Sequence, residues 1–188
     1  MFPELDNYLK RIEDLREQVS DLIADLPAEA LNWRPLPPSV PAPSALLGTG
    51  AGGTEERGDA TNSLAVLAAH IAGAEHFWIG EVIGGRPSTR DRDAEFLTEV
   101  EDGSQLIRLL EQTGLETREI LTTLTETDLD DIREARGRQV PVRWGILHII
   151  DHTALHLGHM QLTYQLWMGG QNGRSPRWFE RLGVGGDT

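Results

Sequence analysis

The sequence predicts an all-α protein, a four-helix bundle, on three observations. The chain has 188 residues, which suits a single domain and is long enough to bury a sizeable core. Four long stretches repeat apolar residues at steps of three and four, the period of a helix that packs on one side. No stretch alternates apolar and polar residues convincingly, as a half-buried strand would. We therefore expect one helical domain over residues 1–188.

Proline and glycine residues bound the predicted helices. The first helix begins at Pro3, which suits a first helical turn, and ends near Pro27. The second is apolar around most of its circumference, so it belongs in the interior of the bundle, and it stops at Gly84. The fourth stops at Gly169. The predicted helices cover about residues 3–26, 62–83, 103–125 and 142–168.

Two segments have the composition of irregular structure. Residues 34–60 contain runs of proline and glycine that neither a helix nor a central strand can hold. We expect a loop inserted after the first helix, which either covers part of one end of the bundle or is a disordered surface loop. The glycine-rich residues 170–188 are expected to form an irregular C-terminal tail.

Composition limits the possible partners and cofactors. Acidic residues outnumber basic ones 30 to 17, and the formal charge of −13 disfavours binding to nucleic acids and anionic membranes. The absence of cysteine excludes disulfides, iron–sulfur clusters and a cysteine nucleophile. The sequence shows neither the layout of a signal peptide nor an apolar run of the ~20 residues that a membrane span requires. We expect a soluble, cytoplasmic protein.

The histidines indicate a metal site. Four of the six lie within residues 148–159, on the fourth predicted helix. His152 and His156 are one turn apart on one face of that helix, so both imidazoles can reach the same point beside it. Divalent transition metals bind such converging neutral imidazole nitrogens. The alternative is a polar patch that binds no metal.

A third ligand is expected from the second helix. His70 is a lone imidazole in the most apolar part of that helix, where an unpaired polar ring would be costly. A metal on one nitrogen and a hydrogen-bond acceptor on the other would satisfy it, and three histidines leave a coordination position open. Taken alone, His70 could instead be a hydrogen-bonded core residue. His76 lies about 240° further around the helix, so the two rings should not both face inward.

Other polar residues near these positions have different expected roles. His148 lies a turn before the pair and is expected to be structural. Asp151 points about 100° away from His152, towards the surface or a neighbouring helix. His159 could act as a second-sphere residue or contact a substrate. His159 and Glu75 are candidate catalytic bases by helix position only.

Several stretches resemble the DinB-like (YfiT-like) superfamily of metalloenzymes. Residues 62–78 look like its second helix, and residues 144–159, with the His-x3-His pair, look like its fourth. Residues 30–35 resemble its link after the first helix. The resemblance implies an up-down-down-up bundle, often dimeric, so we expect a homodimer. The ligands that it implies are His70, His152 and His156.

The same resemblance supplies a hypothesis for function. Members with assigned activities are similar to bacillithiol-dependent S-transferases and mycothiol-dependent maleylpyruvate isomerase. We therefore expect metal-dependent transfer or addition of a low-molecular-weight thiol, with nickel or zinc favoured and iron or manganese also suitable. The alternatives are a metal–hydroxide hydrolase and a non-catalytic metal-binding protein of the stress response. His159, where the family usually has Gln, and the long insertion at 34–60 depart from the family pattern.

Overall fold

The computed structural model describes residues 1–36 and 61–170, and helices dominate it. The long helices are α1 (Pro3–Ile23), α3 (Leu64–Glu75), α5 (Ser104–Thr123) and α6 (Val142–Trp167), and a π-helical segment, His76–Ile83, continues α3. The shorter elements are α2 (Ala28–Asn32), α4 (Arg92–Glu95), a 3-10 turn (Thr127–Asp130) and strands β1 (Ile132–Ala135) and β2 (Arg138–Pro141). The predicted all-α class is confirmed. The predicted loop at 34–60 and tail at 170–188 lie almost entirely outside the described residues.

The expectation that the chain has no strand is wrong at one place. β1 and β2 form an antiparallel hairpin, joined by the two-residue turn Arg136-Gly137. The two strands have only four residues each, and only Ala135 among them is buried. A short, charged and mostly exposed hairpin produces no apolar alternation, so the sequence pattern does not reveal it.

Side-chain contacts give the direction of each long helix. Glu4 near the start of α1 pairs with Arg143 near the start of α6, so these helices are parallel. The C-terminal end of α1 packs against Gly103, just before α5, so α1 and α5 are antiparallel. Ile83, after α3, packs against Gly145 near the start of α6, so these two are also antiparallel. In chain order the four helices run up, down, down and up.

The core lies between these helices, and α3 is its most buried element. Ser63 caps α3 by accepting a hydrogen bond from the backbone N–H of Val66. Every residue of α3 except Gly73 is buried, as expected for a helix that is apolar all round. No helix in the described parts of the chain is both long and apolar enough to cross a membrane.

One buried ion pair joins three of the helices. Glu75, at the end of α3, is 1 % exposed. Its Oε1 accepts hydrogen bonds from the Arg16 guanidinium of α1, at 2.5 Å, and from Thr117 Oγ1 of α5, at 2.6 Å. These contacts hold Glu75 between α1 and α5.

Candidate metal centre

The packing of α3 against α6 brings three of the predicted side chains together. His70 of α3 faces His152 and His156 of α6, and its ring centroid lies 5.0 Å from each of theirs. Nε2 of His70 is 3.2 Å from Nε2 of His152. One ring nitrogen from each of the three residues lies within 4.8 Å of the other two. We call these three side chains the histidine cluster.

The spacing and the donor atoms of the cluster fit a divalent metal ion. Two nitrogens bound at ~2.1 Å to a tetrahedral ion lie about 3.4 Å apart, close to the observed separation of His70 and His152. Nδ1 of His152 and Nδ1 of His156 are buried and have no hydrogen-bond partner in the described part of the chain. Burying a ring nitrogen without a hydrogen bond is costly, and a metal ion on one nitrogen of each ring would offset that cost.

His152 and His156 are neutral at neutral pH. Burial, with a smaller contribution from the neighbouring imidazoles, lowers the pKa of His152 to about 2 and that of His156 to about 4. A protonated imidazole has no lone pair to offer a metal, so a low pKa keeps both rings able to bind one.

A carboxylate that sequence reasoning missed orients His70. Oε2 of Glu95, a buried residue of α4, lies 2.8 Å from His70 Nδ1. Arg90 binds the same carboxylate, with its Nε 2.5 Å from Oε1. Burial raises the pKa of Glu95, but the hydrogen bonds from Arg90 and His70 outweigh it and leave this pKa below its ordinary value. Because an ionised carboxylate only accepts, a neutral His70 donates from Nδ1 and directs its Nε2 lone pair at the cluster.

Gly73 makes room for this carboxylate. It lies one turn after His70 on α3, and a Cβ there would overlap the Glu95 carboxylate and press on Arg90. A glycine in the interior of an otherwise apolar helix is unfavourable for the helix itself and often marks a close approach. That glycine is the signal in the sequence that could have indicated a group packed beside His70.

A cavity of about 210 Å³ opens beside the cluster. His70 and His152 line it, together with the aromatic side chains of Phe77, Trp78 and His148. Phe77 and Trp78 come from the π-helical segment, a rare helix form that often occurs at functional sites. The cavity therefore gives a small molecule access to two of the three histidines.

The other histidines of α6 lie outside the cluster. His148 stacks on Trp144, with the ring centroids 4.9 Å apart and the planes 5° from parallel. Burial lowers the pKa of His148, and the nearby Asp151 only partly offsets this effect. His159 is exposed, and its ring centroid is 5.4 Å from that of His156. Asp151 is exposed as well.

The remaining predicted positions on the second helix face other elements. Nδ1 of His76 is 2.6 Å from Oε2 of Glu116 on α5, so its ring lies away from the cluster. The Glu75 carboxylate accepts hydrogen bonds from Arg16 and Thr117. Neither residue belongs to the group of three histidines.

The fold and the histidine cluster define a helical-bundle protein with a candidate site for a divalent metal. A family model described as the DinB superfamily matches residues 11–160. The chain therefore belongs to the DinB superfamily. A search of curated proteins found no match.

Solved structures share the fold at low sequence identity. A conserved protein from Enterococcus faecalis is 16% identical, with a TM-score of 0.62 over 90% of this chain and 99% of that one. A DinB-like protein from Bacillus cereus is 15% identical, with a TM-score of 0.60 over 90% and 97%. A DinB-like protein from Bacillus subtilis, YjoA, is 19% identical, with a TM-score of 0.56 over 94% and 97%. At these identities the likeness shows the fold alone.

Proposed function

We propose that the protein is a metal-dependent enzyme that transfers or adds a small thiol to a small electrophilic substrate. His70, His152 and His156 would hold one divalent ion, with nickel or zinc favoured and iron or manganese also suited to imidazole ligands. The observation that carries the proposal is a set of three converging imidazoles with a cavity beside two of them. Such an ion supplies a Lewis acid that lowers the pKa of a bound thiol or water.

The surroundings of the cluster favour a thiol over water as the nucleophile. Free thiols ionise near pH 8.5 and bulk water only at far higher pH, so the ion must lower the pKa of water much further than that of a thiol. No carboxylate of the described residues lines the cavity, and Glu75 and Glu95 are both held in ion pairs. Because the chain has no cysteine, the thiol would come from solution.

The reaction can be followed with a generic electrophile. With 1-chloro-2,4-dinitrobenzene, the thiol sulfur forms a bond to the ring carbon, chloride leaves with its electron pair, and the thiol proton passes to solvent. We expect untagged, metal-loaded protein to accelerate this conjugation by thiols such as cysteine. The variant His152→Ala should lose the activity, and the exposed His159→Ala should keep it.

Hydrolase activity, the alternative function, is measured on the same protein preparations. Thiol-independent cleavage of p-nitrophenyl acetate that is lost in His152→Ala would support hydrolysis and contradict the proposal. Stoichiometric metal without either activity would instead support a non-catalytic metal-binding protein.

A further inference from the structure

Positive charge collects at the cavity beside the histidine cluster. Arg90, Arg92 and Arg136 all line it, and none of its lining side chains in the described residues is a carboxylate. The chain as a whole carries a formal charge of −13, so this local excess runs against the overall balance. A cavity with one sign of charge concentrates ligands of the opposite sign.

Two of these arginines have no acidic partner in the described residues. Arg90 is bound to Glu95, but Arg92 and Arg136 take part in no ion pair there. Each guanidinium lies over an aromatic ring instead. The Cζ of Arg92 is 5.0 Å from the ring centroid of Phe96, and that of Arg136 is 4.8 Å from that of Phe77. Both charges remain available to an anion in the cavity.

Arg136 reaches the cavity from an unfavourable backbone conformation. It occupies the first position of the two-residue hairpin turn, with φ of 51°, followed by Gly137 with φ of 76°. Asn, Asp and Gly are the residues that favour such left-handed positions, and other side chains are strained there. Turn formation alone therefore gives no reason for an arginine. The reason for an arginine is its position over Phe77, at the edge of the cavity.

We propose that Arg92 and Arg136 bind the carboxylate of a small organic acid in this cavity, with its apolar part against Phe77 and Trp78. A guanidinium matches a planar carboxylate with two parallel hydrogen bonds. Two like charges on one small cavity repel, and a bound anion removes that repulsion. A volume of about 210 Å³ is below the ~300 Å³ at which pockets for drug-sized ligands begin, so the acid is small.

That this acid is a substrate of the enzyme rests on the proposed function. Its binding to the cavity requires only the arginines and the aromatic rings. The two proposals can therefore fail separately. A carboxylate that binds to protein freed of metal tests the cavity without involving the histidine cluster as a metal site.

The test compares benzoate with benzamide, a neutral molecule of similar shape. Each is titrated into the full-length chain after metal removal by a chelator, and ¹H–¹⁵N spectra that include the arginine Nε–H signals report binding. The variants are Arg92→Gln and Arg136→Asn, because Asn tolerates the left-handed turn position. The matched control is Arg133→Gln, which removes a charge from the same hairpin at a residue paired with Asp131 and outside the cavity.

We expect benzoate to bind at least tenfold more tightly than benzamide. Each cavity variant should weaken benzoate binding at least tenfold, and Arg133→Gln should leave it unchanged. Equal binding of the two probes would overturn the proposal, as would equal weakening by Arg133→Gln and Arg136→Asn. Tighter binding of inorganic phosphate than of benzoate would also overturn it, because the site would then select phosphate. The spectra of each variant report whether it is folded.

Discussion

At the scale of single residues, the tautomer of His70 determines whether the cluster can bind a metal. His70 can ligate through Nε2 only if its proton is on Nδ1, and the Glu95 carboxylate 2.8 Å from Nδ1 stabilises that form. Arg90 in turn keeps the carboxylate ionised and in place. The contacts of His70 with Glu95, and of Glu95 with Arg90, therefore hold the His70 ring with its Nε2 directed at the cluster.

The first prediction concerns Glu95→Gln. The amide removes the negative charge that fixes the His70 tautomer, so we expect metal affinity to fall about 10–100-fold, the usual effect of losing such a partner. Competition with a chromophoric chelator measures this affinity. The control is Glu116→Gln, which removes the corresponding carboxylate from His76, outside the cluster. Equal affinities of Glu95→Gln and wild type would contradict the role assigned to Glu95.

A second prediction uses the space at Gly73. In Gly73→Ala the added methyl overlaps the Glu95 carboxylate, so Glu95 must move away from His70 and metal affinity should fall at least fivefold. Gly158→Ala, at a position of α6 where an added methyl would meet no other atom within 4 Å, should instead stabilise the fold by about 0.5–1 kcal/mol through helix propensity. Chelator competition and urea denaturation measure the two effects. A Gly73→Ala protein with wild-type metal affinity would show that Glu95 is not confined by this contact.

At the scale of elements, the antiparallel packing of α3 and α6 assembles the site. When the π-helical segment is counted with α3, periodicity and glycine or proline stops predicted the four long helices to within three residues of their observed ends. His-x3-His spacing on α6 and a polar ring in the apolar α3 identified the three side chains that the structure brings together. These features are local, so they can be recognised in the amino-acid sequence without knowledge of the structure.

Other parts of the site depend on contacts between segments that are distant in the sequence. Glu95 sits on a four-residue helix with no apolar period, and its role follows only from the packing of that helix on Gly73. Arg136 reaches the cavity through a hairpin whose strands are mostly exposed. The π-helical form of residues 76–83 leaves the apolar pattern of an ordinary helix unchanged. None of the three could be deduced from periodicity or spacing.

The third prediction separates the structural from the catalytic interpretation of Glu75. In Glu75→Gln the mostly buried Arg16 loses its charged partner, and breaking a buried pair costs about 3–5 kcal/mol. We expect a loss of this order in the free energy of unfolding, measured with urea, and unchanged metal affinity. Glu119→Gln, which breaks an exposed pair with Arg86, should change stability by about 1 kcal/mol or less. A stable Glu75→Gln protein without activity would favour a catalytic role for this residue.

At the scale of the whole molecule, α6 presents an apolar stripe that no described element covers. Leu155, Leu162 and Leu166 are 48–59 % exposed, and the helical repeat places them within about 40° of one another. A contiguous apolar face on a helix commonly marks an interaction surface. We therefore keep the proposal that the protein is a homodimer, with this stripe as the surface between its two copies.

The fourth prediction tests that proposal. The double variant Leu155→Glu with Leu162→Glu introduces two charges into the stripe, so the dimer expected for the wild type should become a monomer. Analytical ultracentrifugation measures the mass. Leu115→Glu adds a charge at a residue of α5 that is 71 % exposed and should leave the dimer intact. A wild-type protein that is monomeric at all concentrations would refute the proposal.

The most direct test of the account is a metal titration of untagged full-length protein after treatment with a chelator. Zn²⁺ or Ni²⁺ is added, binding is followed by calorimetry, and the bound metal is counted by elemental analysis. We expect one ion per chain in the wild type, no stoichiometric binding in His152→Ala, and retained binding in His159→Ala, whose ring lies outside the cluster. Absence of binding to the wild type, or undiminished binding to His152→Ala, would contradict the claim that these three histidines hold a common ion.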